Sequence, residues 1–468
     1  MTEQIAGFEV EHLHGPEQIP CSETELVVLC LVRDGEPWVK YFIEHYTSLG
    51  AKHIVFLDND SRDSTVSAIS KYDGVSVLRT KLPFRVVIEG IVGQILMRRY
   101  LIERFGKGRW SLCVDIDELF DYPYSDVISV DSFLGYLNHK SYTAVIAHTL
   151  DMFPESALSR RTQRVVEDLK GEYRFYDISR LATMRMTKHE LASKTNNIVE
   201  SDEVAVRFRG GIRDNIFGFR TLLRKYPLVF SDGTLEHVGP HMVNGARVAD
   251  LTCVLFHYKF YAFSLQDYWH RSIEHKKYGN PNMQRKYAQY AEVLDKDPEL
   301  QLKRETSREL SSMNDLLENG FLVASEDYVS WVNTEEGKTF LQADPQREPR
   351  ALTEAFLQSR RQERATTLRV GRLERQLLEY GRREQTKDER IKKLKQQRSK
   401  QGRNIRDLEK RILDRGQKIQ RSKRKRQRLT KRNNRLKRQL EEITASRAYK
   451  LVQTLRHIKI RLKSLRRS

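Results

Sequence analysis

Cysteine is scarce: Cys21, Cys30, Cys113 and Cys253 are the only four in 468 residues, and no two have CxxC spacing. That excludes a disulfide scaffold and a thiolate zinc site, and it fits a reducing compartment. Long apolar runs are missing as well. The longest, Leu26–Val32, falls far short of the roughly 20 residues that span a bilayer. The opening stretch MTEQIAGFEVEHLHG lacks the charged-then-apolar pattern of a secretory signal. The expectation is therefore a cytoplasmic protein, soluble or peripheral on the cytoplasmic face of the membrane. After residue 350 acidic side chains become rare, 12 against 40 Lys and Arg, and Tyr449 is the only aromatic beyond Tyr380. A basic tail without aromatic interleaving, helix-turn-helix or zinc-ligand spacing does not fit nucleic-acid recognition. The preceding 350 residues hold 43 basic and 51 acidic side chains, so the net charge of +20 belongs to the tail alone.

Within the first 260 residues strands and helices alternate. Leu26–Val32 is uniformly apolar, as a strand buried on both faces should be. Pro37 suits the first turn of a helix whose Trp38, Phe42, Tyr46 and Leu49 share a face, and Gly50 ends it. His53–Leu57 and Val75–Leu78 read as further strands, a longer helix follows over about 89–104, and Trp110–Asp115 is the next strand. This alternation predicts an α/β domain of three layers, with a mostly parallel sheet between helices. The expected division is a polar lead-in (1–23), the α/β domain (24–290), a helical accessory or linker region (291–350), a basic coiled coil (351–445) and a basic amphipathic helix (446–468).

In open parallel sheets ligands bind beyond the carboxyl ends of the strands. Polar residues gather at three such ends: Arg33 with Asp34 and Glu36; Asp58-Asn-Asp60 through Asp63; and Asp115-Ile-Asp117-Glu118. Asp, Asn and Ser also serve as caps and turn residues. Three such clusters on one edge nonetheless point to a site. Two carboxylates two residues apart, Asp115 and Asp117, suit Mg²⁺ or Mn²⁺, hard cations that also take diphosphate oxygens. His237, His241 and His257 lie among apolar residues, where a histidine is as readily a hydrogen-bonded core residue as a ligand.

These motifs resemble a known family. Leu31-Val-Arg33, Trp38, Glu44-His45, Gly50, Phe56-Leu-Asp-Asn-Asp-Ser-Arg-Asp63 and Val114-Asp-Ile-Asp-Glu-Leu-Phe120 are similar to bacterial GT-A glycosyltransferases related to family 2. The subgroup is the family 2-like 4 set, akin to family 92. Gly210-Gly-Ile-Arg213, Phe217-Gly218, Lys225-Tyr-Pro-Leu-Val229, His241 and Leu255-Phe-His-Tyr-Lys259 resemble its later motifs. The likeness spans about residues 24–290 and implies a Rossmann-like GT-A fold, a nucleotide-sugar donor with UDP first in line, and a divalent cation. It implies donor contacts from Arg33, Glu36, Asp58, Asp60, Asp115, Lys225 and Lys259, and cation ligands Asp115, Asp117 and His257. It further implies an inverting single displacement onto a saccharide, lipid-linked or protein acceptor, as in polysaccharide biosynthesis. Asp214 and His237 are the candidate bases, with Asp151 as a rival. Arg33-Asp-Gly-Glu36 departs from the family's usual Arg-Asn-Glu, which loosens the placement of the acidic group. A nucleotidylyltransferase would need a Gly-rich phosphate loop after the first strand, which Val32-Arg-Asp-Gly-Glu-Pro37 does not supply. The alternative is a degenerate, non-catalytic domain of this fold in a coiled-coil interaction or nucleic-acid-binding protein.

In the tail a seven-residue register runs from Val370 to Ile443, and 14 of its 22 seam positions are apolar. Gly381, Gly402 and Gly416 each cost roughly 1 kcal/mol in a helix. Leu451, Leu455, Ile458, Leu462 and Leu465 then form a stripe amid Lys and Arg, the pattern of an interfacial helix. Attachment to an anionic membrane surface and self-association through the seam are both expected of this tail.

Overall fold

The computed structural model describes residues 3–158, 166–193, 195–262, 265–343 and 352–465. In chain order the elements that position the site are β1 (Glu3–Ile5), β2 (Phe8–His14), β3 (Leu26–Val32), α1 (Glu36–Leu49), β4 (Ala51–Asp58), α2 (Thr65–Ile69), β5 (Val75–Thr80) and α3 (Gly93–Phe105). Next come β6 (Trp110–Asp115), β7 (Glu118–Asp121), α4 (Val130–His139), β8 (Ala144–Asp151), β9 (Ile198–Val199), α5 (Ile212–Phe217), β10 (Arg224–Phe230) and β11 (Arg247–His257). Four helices close this part: α6 (Leu265–Lys277), α7 (Pro281–Lys296), α8 (Met313–Glu318) and α9 (Glu326–Ala343).

One 11-stranded sheet runs in the order β1-β2-β5-β4-β3-β6-β10-β8-β11-β9, with β7 also paired to β11. The stretch β5-β4-β3-β6 is parallel, while β10 lies antiparallel between β6 and β8. β3 is buried throughout and its alternate residues feed two cores. Val28, Cys30 and Val32 pack with Trp38, Phe42 and Tyr46 of α1; Val27, Leu29 and Leu31 pack with Met97, Leu101 and Phe105 of α3 on the opposite face. The result is a mixed α/β architecture whose parallel-rich sheet is covered on both sides. Each large side chain so buried contributes about 1.5–3 kcal/mol. Gly50 ends α1 with φ of 96°, a left-handed cap that a side chain would strain.

The chain leaves β3 toward β4 and β5, then returns through α3 to β6 on the other flank of β3. The strand order therefore reverses between β3 and β6, which opens a crevice at their carboxyl ends.

Two regions do more than their sequences announce. The lead-in supplies β1 and β2, which extend the sheet antiparallel to β5. Its alternation is short and polar outward, as an edge strand's is. The region read as accessory or linker packs into the main core: Leu316, Leu317, Phe321, Leu322, Tyr328 and Val332 are buried with the α1 and α4 residues. Tyr328 donates a hydrogen bond to the Pro123 carbonyl at 2.7 Å.

Met1–Glu379 and Tyr380–Ser468 form separate compact units. The tail is helical over Leu352–Ala445 and Arg447–Leu465. Its seam residues Ile405, Leu408, Ile412, Ile419, Leu429, Leu436, Leu440 and Ile443 are all exposed within the single chain. Among the described residues no helix is long and apolar enough to cross a membrane.

Candidate functional site

The crevice between β3 and β6 is lined by a compact set of charges. Asp115 closes β6. One of its carboxylate oxygens accepts a hydrogen bond from Arg98 of α3, and the other accepts from Lys225 Nζ of β10 at 3.1 Å. Lys225 also donates to Glu118 at 2.5 Å. Burial alone would raise the Asp115 carboxyl, but Arg98 and Lys225 outweigh it and hold it well below the usual carboxylate range. Lys225, expected as a donor contact, is thus bound between two carboxylates. Asp115 keeps 36% of its side chain exposed, the most open group of the set.

Beside it runs a second chain of polar contacts. His257, the last residue of β11, places Nε2 3.3 Å from Asp117 Oδ2 and Nδ1 2.6 Å from Asp151 Oδ1. Arg213 of α5 donates to the other oxygen of Asp151 at 2.6 Å. Since Asp151 accepts at Nδ1, that nitrogen carries the proton, and Nε2 faces the Asp117 carboxylate. Two acceptor atoms so close need a proton or a cation between them. Burial lowers the pKa of His257, but Asp117 and Asp151 reverse this and raise it. Register sets the arrangement: β8 and β11 are parallel with Asp151 opposite His257. The Tyr258 N–H donating to the Asp117 carbonyl at 2.8 Å pins the β6–β7 turn to the end of β11.

The remaining expected residues are less concentrated. Asp58 is fully buried; it accepts from Arg79 Nε at 2.8 Å and from the Ser61 N–H at 3.2 Å. Its carboxylate therefore shapes the Asn59–Ser61 turn. Asp60 is exposed, with φ of 58°. Arg33 is exposed and lies 3.7 Å from Glu274 of α6, and Glu36 is exposed in the first turn of α1. Lys259 is buried, its Nζ 5.6 Å from the Tyr287 ring centre.

Of the candidate bases, Asp214 accepts from Arg220 at 2.8 Å, and the His237 carbonyl accepts from Arg99 at 2.9 Å. Among the described residues no hydrogen bond or ion pair ties either one to Asp115 or Asp117. Burial, with Arg98 and Arg99 nearby, pushes the His237 imidazole down to about 4. Asp151, the rival, has both oxygens in charged hydrogen bonds. Although burial raises its carboxyl, Arg213 and His257 hold it well below the usual range, which makes it a poor proton acceptor. It orients His257 instead.

Arg98 is the residue the sequence reading passed over. It is spaced to share a helix face with the buried Leu101, Ile102 and Phe105, and a charge on such a face is a signal that a partner waits there.

No protein-family model and no curated protein matches the chain. Among solved structures, UDP-glucose pyrophosphorylase from Acinetobacter baumanii aligns with 58% of this chain and 99% of its own, at 11% identity and a TM-score of 0.23. A likeness that faint carries no argument about this chain.

Proposed function

We propose that the α/β unit is a GT-A glycosyltransferase that moves a sugar from a nucleotide-sugar donor, a UDP-sugar first in line, to a saccharide or lipid-linked acceptor. The observation that carries the reading is the pair Asp117 Oδ2 and His257 Nε2, 3.3 Å apart at the carboxyl ends of β6 and β11, beside the crevice where the strand order reverses. Two of the motifs that resemble family 2-like enzymes, Val114-Asp-Ile-Asp-Glu-Leu-Phe120 and Leu255-Phe-His-Tyr-Lys259, lie on these same strand ends.

The residues suit a divalent cation. Among the described residues no three His, Cys, Asp or Glu side chains form a closed cage. A site with two protein ligands is what Mg²⁺ or Mn²⁺ takes when substrate phosphates and water complete its shell. Asp117 and His257 would hold the ion. When bound, it supplies neutralisation of the charge that builds on a departing diphosphate. The protein's own part is orientation. Asp151, fixed by Arg213, holds the His257 ring with Nε2 toward Asp117. Arg98 and Lys225 fix Asp115, whose exposed edge is placed to accept hydroxyl groups of a nucleoside.

The test is calorimetric titration of UDP into the full chain, with and without Mn²⁺, for wild type and Asp117→Asn. Mn²⁺ should tighten UDP binding about tenfold or more in wild type, and the substitution should abolish that gain while the fold persists. If UDP, GDP and dTDP all fail to bind with Mn²⁺ present, the donor site is disproved and the non-catalytic alternative takes its place.

A further inference from the structure

Helix α6 leaves large apolar side chains in solvent. Its inner face is set by Tyr268, Ser272 and His275, all buried; Tyr268 and His275 pack on Tyr287 of α7 at ring separations of 6.3 and 5.2 Å. The outer face holds Trp269 and Ile273, four residues apart and so neighbours on the helix surface. Trp269 is 40% exposed and Ile273 63%. His270, Lys276 and Lys277, all exposed, flank them, and the exposed Tyr278 follows at the helix end. The Lys277 ammonium stands 5.8 Å from the Tyr278 ring centre. Glu274, on the flank of this face, is engaged by Arg33 and Arg85 at 3.7 and 3.8 Å.

A single exposed apolar residue needs no explanation, but Trp, Ile and Tyr beside two lysines match an interface. A Trp or Tyr ring has an apolar body and a polar tip and settles at the boundary of lipid and water. Lysine stems cover apolar surface while their ammonium groups reach outward to charge. A platform for stacking sugars would use the rings but has no use for Ile273. The charge is also local. The first 350 residues hold 43 basic and 51 acidic side chains, so a basic face on this acidic unit gives it one preferred side toward an anionic surface. The same chain ends in a second element of this kind, the helix Arg447–Leu465, with Leu451, Leu455 and Ile458 exposed among Lys and Arg.

We infer that the outer face of α6 docks the α/β unit onto an anionic lipid surface, with Trp269 and Ile273 entering the boundary between headgroups and acyl chains and Lys276 and Lys277 meeting lipid phosphates. So small an apolar area does not hold a protein on lipid by itself; the tail supplies attachment and α6 sets orientation. The contact of Glu274 with Arg33 ties α6 to the carboxyl end of β3, so the docked face borders the crevice. Docking stands independently of glycosyl transfer; on that reading it selects a lipid-linked acceptor.

Tryptophan emission tests the contact, because the tail contains no tryptophan. Trp38 and Trp110 are buried, and Trp331 is half-buried in α9, where its indole donates to the Ser132 carbonyl at 3.1 Å. The full chain is mixed with phosphatidylserine vesicles whose acyl chains are plain or brominated near the headgroup. An interfacial helix sinks about 5–10 Å into the boundary, within reach of such bromines. Wild-type emission should be lower on brominated than on plain vesicles. Trp269→Phe should lose that difference and still float with the vesicles. Ile273→Asp, at an exposed position that leaves the inner face intact, should keep the fold and the flotation and lose most of the quenching. Equal wild-type emission on both vesicles, whether or not the chain floats, overturns the contact. Quenching that persists in Trp269→Phe, or is unchanged in Ile273→Asp, overturns it as well. Failure of the Mn²⁺-dependent UDP site leaves this optical result readable by itself.

Discussion

At the scale of single residues, histidine protonation ties the fold to pH. His45 Nε2 donates to the Phe120 carbonyl at 2.8 Å, and Nδ1 accepts from Lys170 Nζ at 3.0 Å, so the ring must be neutral. Burial and Lys170 push it down to about 3 from an ordinary 6.5. His237, His241 and His275 are pushed down to about 4, in each case chiefly by burial. A depressed histidine pKa means that the unfolded chain binds the extra proton. The stabilisation is complete above pH 6.5 and is lost as pH falls through the window toward 3–4. The urea midpoint should therefore fall steadily from pH 7 to pH 5, and more gently in His45→Gln, which keeps a donor and an acceptor but does not titrate. An equal slope in both proteins would remove His45 from this account. The same residue scale shows what a sequence makes legible. Asp117 and His257 are ligand-type residues at apolar strand ends, and folding places them 3.3 Å apart. Asp58 has the same local signal, yet Arg79 claims it, because the register of β4 on β5 sets Asp58 opposite Arg79.

At the scale of elements, β3, α1, β4 and β6 were readable because each carries one unambiguous pattern: a continuous apolar run, or a 3.6-residue stripe with a proline start and a glycine stop. β10, antiparallel within the parallel-rich sheet, and the two-residue β9 were not, since pairing partners distant in sequence define them. Helices α8 and α9 lie in a stretch expected to be helical, but their packing into the main core lay hidden for a related reason. Their polar residues outnumber the few that bury, and the few are large. Tyr328 touches Phe133 and Tyr136 of α4 at ring separations of 6.0 and 5.0 Å and is fully buried. Tyr328→Ala should lower unfolding free energy by about 3–5 kcal/mol. Tyr328→Phe, which leaves the Pro123 carbonyl without its donor, should cost about 1–3 kcal/mol. Denaturant titration of the two variants measures both values. Losses within about 0.5 kcal/mol for both, as at an ordinary surface position, would mean that α9 is a loosely attached linker after all.

At the scale of the whole molecule, the two compact units carry opposite charge, and the two uses expected of the tail's surface respond to salt in opposite directions. Pairing with a second tail would bury the exposed Ile405, Leu408, Ile412, Leu436 and Leu440. In a parallel two-stranded arrangement, however, the flanking positions oppose Lys418 to Lys423 and Arg432 to Lys437 of the other copy, so like charges resist the pairing. Raising ionic strength shortens the Debye length from about 10 Å at 0.1 M to about 3 Å at 1 M and removes that resistance while leaving the apolar gain intact. Attachment to an anionic membrane draws instead on attraction of about 1 kcal/mol per Lys or Arg near the surface, and screening abolishes it. The exposed Leu451, Leu455 and Ile458 would then enter the lipid interface. Sedimentation equilibrium of the full chain should show mass rising from one copy toward two as salt increases. Flotation with phosphatidylserine vesicles should show binding that falls over the same range. A chain ending at Arg350 should do neither. Mass that stays at one copy in all salts discards the seam as an assembly device, and vesicle binding that survives in the shortened chain moves the membrane contact out of the tail and onto the α/β unit.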